Sequence, residues 1–309
     1  MAPTLSAILC NFNDVSLLPG AVEALLEQSF PPHEIILVDD GSTDGSPALI
    51  RRLADAHPSI KPIFLPRNTG VVSAGNTALR MASGSHVGWF AADDRILPGH
   101  FMRVAQALSL VGDAAVVASP VVLAMQDGSE KLHSLDFDIA APHRLAPPAL
   151  IQILQKRYLW LPSHAAFFRR NDLMMLGGWD VAIDWLSDWF ALYALAMRGG
   201  VICLDEPGAR IQERAGSFGQ RRRNVYWHEA FHALFAVLAK PGNRDIQRAF
   251  AASPYLFTGP FGMAAAWEAL RHTGGRSLGL RFLLWRLLVS RKLGFGHFPA
   301  LARSVLPQA

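Results

Sequence analysis

Cysteine is scarce in this 309-residue chain, which has only Cys10 and Cys203, far apart in sequence. Two such cysteines make no disulfide framework, which excludes the small disulfide-stapled scaffolds and fits a reducing compartment. Long apolar runs are also missing. No stretch of 18 apolar residues lacks a charge, so no membrane-spanning helix is expected. The opening Met-Ala-Pro-Thr-Leu-Ser has no basic stretch leading into an apolar one, so no signal peptide is expected. No internal repeat is visible. Apolar residues nevertheless make up 51% of the chain, enough for the core of one large domain, or of one domain plus an extension.

The net charge of +4 hides an asymmetry. Residues 1–209 carry 14 Lys and Arg against 21 Asp and Glu, a balance of −7, whereas residues 210–309 carry 15 against 4, a balance of +11. A basic C-terminal third suits an anionic partner: a lipid surface, a diphosphate or nucleic acid. It equally suits a basic helical surface with no dedicated partner.

The most informative stretch is Glu34–Ser46. Ile35 to Val38 is a short apolar run, as expected for a strand buried on both faces. It runs into Asp39-Asp40-Gly41-Ser42. A buried strand ending in carboxylates and hydroxyls puts polar groups at the carboxyl edge of a sheet, where open α/β sheets bind ligands. His86–Asp94 repeats the pattern, with Asp93 and Asp94 after Val87–Phe90. Two strands ending in paired aspartates point to a site for a metal and a polar ligand.

Around these runs, strands and helices alternate. Strands are expected at Leu5–Cys10, Ile35–Val38, Ile60–Leu65 and Val87–Phe90, and helices at Val15–Gln28, from Asp44 or Ser46 to His57, and at Val71–Ser83. This is a βαβ arrangement with a mostly parallel sheet. A helix at Pro98–Leu110 and a strand at Ala114–Leu123 follow. Residues 126–148 read as loop. Leu161–Arg169 and Val201–Leu204 read as late strands around a helix at Trp185–Arg198. From about residue 224 the pattern is helical.

These blocks resemble glycosyltransferase family 2, inverting enzymes of the GT-A fold, over roughly residues 4–215. Ser6–Asn13 resembles the opening strand, with Cys10-Asn11-Phe12-Asn13 where the family has Pro-Thr-Tyr-Asn. Glu34–Ser46 is similar to the Val-Asp-Asp-Gly-Ser-x-Asp block. Asn68-Thr69-Gly70 through Gly84 resembles the Asn-x-Gly … Ala-x-Gly segment. Phe90–Asp94 stands where the Asp-x-Asp-Asp metal motif belongs. Gly177-Gly178-Trp179-Asp180 resembles Gly-Gly-Phe-Asp, and Asp188 follows eight positions after Asp180, where the family has its base. The resemblance implies an α/β, GT-A (Rossmann-like), mostly parallel mixed sheet flanked by helices. It implies a catalytic domain at 1–215 and a basic, apolar helical extension at 216–309.

By the same resemblance, the chain would be a metal-dependent transferase moving a sugar from a nucleotide donor, expected to be a UDP-sugar, to a hydroxyl acceptor. A polysaccharide or lipid-linked glycan intermediate is the expected acceptor. Asp188 would be the general base. Cys10, Phe12, Asp39, Asn68 and Asp93 would contact the nucleotide-sugar. Asp94 would hold Mg²⁺ or Mn²⁺, hard cations suited to oxygen ligands. The expected location is cytoplasmic and peripheral on the inner face of the plasma membrane. Four positions depart from the family: Ala91 for the first metal-motif Asp, Ser187 for the Glu before the base, Ala194 for the Arg six positions after it, and Gly75 for the Arg before Asn76. They bear on donor choice and leave room for a catalytically weak relative that binds nucleotide or glycan as a regulator.

Several other features compete. Asp39–Ser42 has turn-favouring residues, and Asp184 competes with Asp188 as base. Trp160, Trp179, Trp185 and Trp189 suit either a sugar or lipid platform or a core. His228-Glu229-Ala230-Phe231-His232 matches the His-Glu-x-x-His of zinc peptidases, but no Gly-x-x-His follows to supply a third ligand. Arg221-Arg222-Arg223 after Gly219 stands where the resemblance implies a loop closing on the diphosphate, and equally suits a solvated basic turn. Nucleic acid is not expected, because no recognised module accompanies these arginines. Leu278–Leu293 suits a membrane-surface helix, although Arg281, Arg286 and Arg291 walk around it.

Overall fold

The computed structural model describes residues 2–135, 142–213, 218–253 and 255–257; the side chains of 218–225 and 227 fall outside that description. The first part alternates strand and helix: β1 (Leu5–Asn11), α1 (Leu18–Leu26), β2 (Glu34–Asp39), α2 (Ser46–Ala56), β3 (Ile60–Phe64), α3 (Val71–Met81) and β4 (His86–Ala91). Next come β5 (Arg95–Ile96), α4 (His100–Leu110), β6 (Val116–Ala118), β7 (Val121–Ala124), β8 (Glu130–His133), β9 (His143–Leu145) and α5 (Pro147–Leu154). The last part holds β10 (Phe167–Arg169), α6 (Arg170–Leu176), α7 (Ser187–Gly199), β11 (Val201–Cys203), β12 (Ala209–Gln212), α8 (Phe218–Leu238) and α9 (Arg244–Ala251).

Eight strands form the main sheet in the order β3-β2-β1-β4-β10-β6-β11-β9. The first four are parallel, β10 is antiparallel to both of its neighbours, and β9 is antiparallel to β11. A second sheet runs β5-β12-β7-β8. The α/β expectation of a mostly parallel mixed sheet flanked by helices therefore holds. Both faces of the main sheet are covered. Ile8, Ile36 and Val38 join the apolar cluster under α3 and α7, while Leu5, Leu9 and Leu37 join the one under α1 and α4. That double burial explains why β2 reads as an unbroken apolar run. In α8 and α9, Phe231, Leu234, Phe235 and Phe250 belong to the same cluster as α7.

Several expected elements differ. The strand expected at Ala114–Leu123 is two strands in two sheets, split at Ser119-Pro120. Proline has no N–H to continue a ladder, so the chain turns there. Residues 126–148 are not all loop, since they contain β8, β9 and the start of α5. Their strands are short and carry Glu130, Lys131 and Arg144 outward, which hides their periodicity. Leu161–Arg169 is strand only from Phe167, after a 3-10 turn at Ser163–Ala165. The first helix begins at Leu18 rather than Val15. The helix expected at Trp185 begins at Ser187, after a 3-10 segment spanning Val181–Leu186. The stretch at Leu278–Leu293 lies outside the described residues, as do the side chains of Arg221, Arg222 and Arg223.

Candidate active site

The parallel strands β1, β2 and β4 end side by side, with Asn11 opposite Asp39 and Cys10 opposite Ala91. Antiparallel β10 brings its amino end to this same edge, so the 3-10 turn at Ser163–Ala165 stands beside the end of β4.

Asp39 is almost wholly buried. Its Oδ1 accepts the Asn11 side-chain amide at 3.0 Å, and its Oδ2 accepts the Ser42 N–H at 3.0 Å. Asp40, equally buried, is committed differently. Its Oδ1 accepts Thr69 N–H at 2.8 Å and Thr69 Oγ1–H at 2.9 Å, and its Oδ2 accepts Gly70 N–H at 2.9 Å. Asp40 therefore fastens the 68–70 loop to the end of β2, a role not assigned to it from the sequence. Gly41, the next residue, has φ 72°, and a Cβ there would lie 2.4 Å from the Arg67 carbonyl carbon. Only glycine fits that turn. Asn68 is exposed in the fastened loop, and its Oδ1 accepts Gly70 N–H at 2.9 Å.

Phe12 is exposed just past β1, while Cys10 is half-buried against Trp89. Burial pushes the Cys10 thiol up to about 12; a hydrogen bond with Trp89 opposes this and the Asp40 charge adds to it. Cys10 is therefore a neutral thiol and not a nucleophile.

Past β4, Asp93 is half-buried and Asp94 buried. Asp94 Oδ1 accepts the Gln212 N–H at 3.2 Å, tying it to β12, and the Arg95 guanidinium donates to the Asp94 carbonyl at 2.8 Å. The donor chemistry fits a hard divalent cation in one way. The Asp94 carboxylate would hold such an ion together with oxygens that the substrate supplies, as Mg²⁺ commonly binds. Among the described residues no group of three or more His, Cys, Asp or Glu could hold a metal. The absence of a carboxylate at Ala91 fits that finding. The zinc-peptidase reading likewise finds no third ligand there. His228, Glu229 and His232 are exposed on α8.

Asp188 stands in the first turn of α7. Ser163 Oγ–H donates to its Oδ2 at 2.6 Å, and the Trp189 N–H donates to its Oδ1 at 2.7 Å. No sequence signal marked Ser163. The rival Asp184 lies in the 3-10 segment before α7, with φ 56° and ψ −123°, a strained conformation for a residue other than glycine. Asp184 and Glu229 help line a cavity of about 320 Å³ against Thr69, Ser73 and Tyr226.

The family's departures have local causes. Gly75 faces Trp89, and a Cβ there would lie 3.0 Å from the indole. Trp89 in turn packs on Trp179 with ring centroids 4.4 Å apart. The space beside Gly75 is thus filled by two indoles. Ala194 is fully buried in the core and Ser187 nearly so. Of the four tryptophans considered for a platform, Trp179 is core, Trp185 and Trp189 pack against the same cluster, and Trp160 lies against the other cluster under His133.

Known proteins share the family and the fold. The model of the family described as glycosyl transferase family 2 matches residues 6–177. A succinoglycan biosynthesis protein of Rhizobium meliloti, ExoO, is 27% identical over 210 residues, covering 67% of this chain and 59% of its own length. The chain thus spans about three fifths of the length of curated relatives it matches, 62% and 59% for two of them. Among solved structures, S. aureus TarS in complex with UDP-GlcNAc shares the fold at TM-score 0.66 and 17% identity, over 84% of this chain and 74% of that one. A mannosyltransferase of Pyrobaculum calidifontis in complex with GDP-Man and Mn²⁺ does so at TM-score 0.54 and 20% identity, over 94% and 81%. With the family's model matched over more than half of its length, the chain belongs to glycosyl transferase family 2.

Proposed function

We propose that this chain is an inverting, metal-dependent glycosyltransferase that moves a sugar from a nucleoside-diphosphate donor, a UDP-sugar, to a hydroxyl of a polysaccharide or lipid-linked glycan intermediate. The observation that carries it is Asp188, a carboxylate with one hydrogen-bond donor on each oxygen, at the edge where Asp39, Asp93 and Asp94 also end. The UDP-GlcNAc bound by TarS and the GDP-Man and Mn²⁺ bound by the mannosyltransferase support the donor class and the metal. The name of ExoO supports a polysaccharide product.

In this reading Asp39 and Asn11 recognise the base edge, with Phe12 exposed to stack on it and Cys10 and Asn68 flanking. Asp93 meets the ribose or sugar. Asp94 would hold Mg²⁺ or Mn²⁺ together with the donor's diphosphate. When bound, that ion neutralises the charge growing on the leaving diphosphate. Asp188 takes the acceptor hydroxyl proton as the oxygen attacks the anomeric carbon from the face opposite the diphosphate, which inverts the centre. Residues 1–215 form the catalytic unit. Residues 216–309 form the basic extension whose share of the +11 balance suits an anionic membrane face.

Nucleotide release from UDP-, GDP- and dTDP-sugars with Mn²⁺ tests this on wild type, Asp94→Ala and Asp188→Ala. Turnover with one donor class, lost in both variants, is the expected result. A second reading, a weak relative that binds nucleotide or glycan, is favoured by Ala91 and Ala194 in place of an acid and an arginine. Donor binding without release, even with membrane extract as acceptor, would select it.

A further inference from the structure

Resting on Asp188 as the base, we infer that Ser163 is the positioning residue that fixes the base's carboxylate. The 3-10 turn carrying Ser163 is itself held by His100.

The two donors to Asp188 are not equivalent. The Trp189 N–H belongs to the first turn of α7, where backbone donors lack helical partners and any nearby carboxylate serves. That bond makes Asp188 a helix-end acceptor and no more. The Ser163 hydroxyl comes from a different element, 25 positions earlier, and reaches the other oxygen at 2.6 Å. One donor per oxygen fixes both the side-chain torsions and the plane of the carboxylate. Each oxygen still keeps a second lone pair for an acceptor proton. Ser163 thus separates a base aimed at one point in space from a carboxylate that merely caps a helix. The buried Ser187, where the family places a glutamate, offers no carboxylate beside it.

Ser163 depends in turn on its support. Ala165, two residues on, is fully buried, and its carbonyl oxygen meets His100 Nε2 at 3.0 Å. Only a protonated Nε2 can donate to a carbonyl. His100 is also fully buried, and that burial, helped by Arg103, pushes it down to about 3. The ring is therefore neutral across the working range and its single bond to the turn persists. Against the other side of that ring lies Gly208, where a Cβ would come within 2.5 Å of His100 Cε1. The backbone before β12 therefore pins the imidazole, the imidazole pins the turn, and the turn presents Ser163.

The test uses Ser163→Val and Ser163→Thr, side chains of the same shape that differ in the hydroxyl, with nucleotide release from the accepted donor and water as the acceptor. Ser163→Val should lower kcat about tenfold or more. Donor KM and melting temperature should match those of Ser163→Thr, and Ser163→Thr should stay within about threefold of wild type. Equal kcat in the two variants would overturn the inference. So would a loss of kcat that follows the melting temperature. If Val does not fold at this half-buried site, Ser163→Ala, which only removes atoms, carries the same comparison. Asp188→Ala in the same assay separates the two levels. If it is inactive while Ser163→Val is unimpaired, only the positioning role falls. If it turns over like wild type, the base assignment falls and the positioning role with it.

Discussion

Asn76 and Trp179 are bound to each other twice. The Asn76 side-chain amide donates to the Trp179 carbonyl at 2.7 Å, and its oxygen accepts the Trp179 N–H at 3.0 Å. One side chain of α3 thereby saturates the backbone of a residue about a hundred positions later. The Gly177-Gly178-Trp179-Asp180 block is docked onto the helix that follows the 68–70 loop. Gly178 makes the docking possible: it has φ 80°, and a Cβ there would stand 2.3 Å from Asn76 Oδ1.

Replacing either end of this clamp should be costly. Asn76→Ala leaves a partly buried N–H and C=O unpaired, at about 2 kcal/mol. Gly178→Ala adds backbone strain to a steric clash and should cost at least about as much. Denaturant unfolding with an unchanged m-value would report both losses. A neutral Gly178→Ala would show that the block is not held as described.

Restoring the family's arginine should do harm. Gly75→Arg must displace Trp89, which is already pressed on Trp179. Overpacking of this kind costs about 1–3 kcal/mol, against at most about 1 kcal/mol gained by removing a helical glycine. A lowered melting temperature with no gain in donor turnover is the expected outcome. A more active and equally stable variant would show that Trp89 yields readily.

Gly208→Ala should act at a distance. The added methyl meets His100 and shifts the turn bearing Ser163. A misplaced base costs on the order of tenfold to a hundredfold in rate. Steady-state kinetics should show kcat falling with donor KM little changed.

Acid should weaken the fold through three buried groups. Burial pushes His86 down to about 4, with the Asp113 charge opposing and Arg169 adding, and His100 down to about 3. Burial acts to raise Glu34, but Lys61, Ser83 and Ser6 bond its carboxylate and hold it at about 2. The unfolded values are 6.5 for the histidines and 4.5 for the glutamate. Below pH 6.5 the unfolded histidines take up protons that the folded ones refuse, so stability falls as pH falls toward 4 and 3. Below 4.5 the unfolded glutamate also gains a proton, and stability falls further toward pH 2. Between pH 7 and 4 the loss should be on the order of 5 kcal/mol. Urea unfolding across that range checks it, and His86→Gln should flatten the slope between pH 6.5 and 4.

How much of this was legible in the sequence depends on the range of the forces involved. The β2 run with Asp39-Asp40-Gly41-Ser42 was legible, because double burial demands apolar residues and the turn demands glycine at one place. The sequence did not distinguish the tasks of the two aspartates, since only the fold brings Thr69 and Gly70 onto Asp40. Strands β8 and β9 were illegible because three or four residues are too few to show a period.

Local chemistry thus determined from the sequence alone the buried strands, the helices between them and the polar edge with Asp39, Asp93 and Asp94, while the family resemblance put Asp188 forward. Tertiary structure decided the remainder. The antiparallel β10 carried Ser163 to Asp188, the packing of His100 on Ala165 held it there, and Asn76 found the backbone of Trp179. Periodicity and turn preference act over a few residues and leave a trace in the order of the chain. A hydrogen bond between elements 25 or more positions apart needs only one suitable atom at each end, so it leaves no such trace.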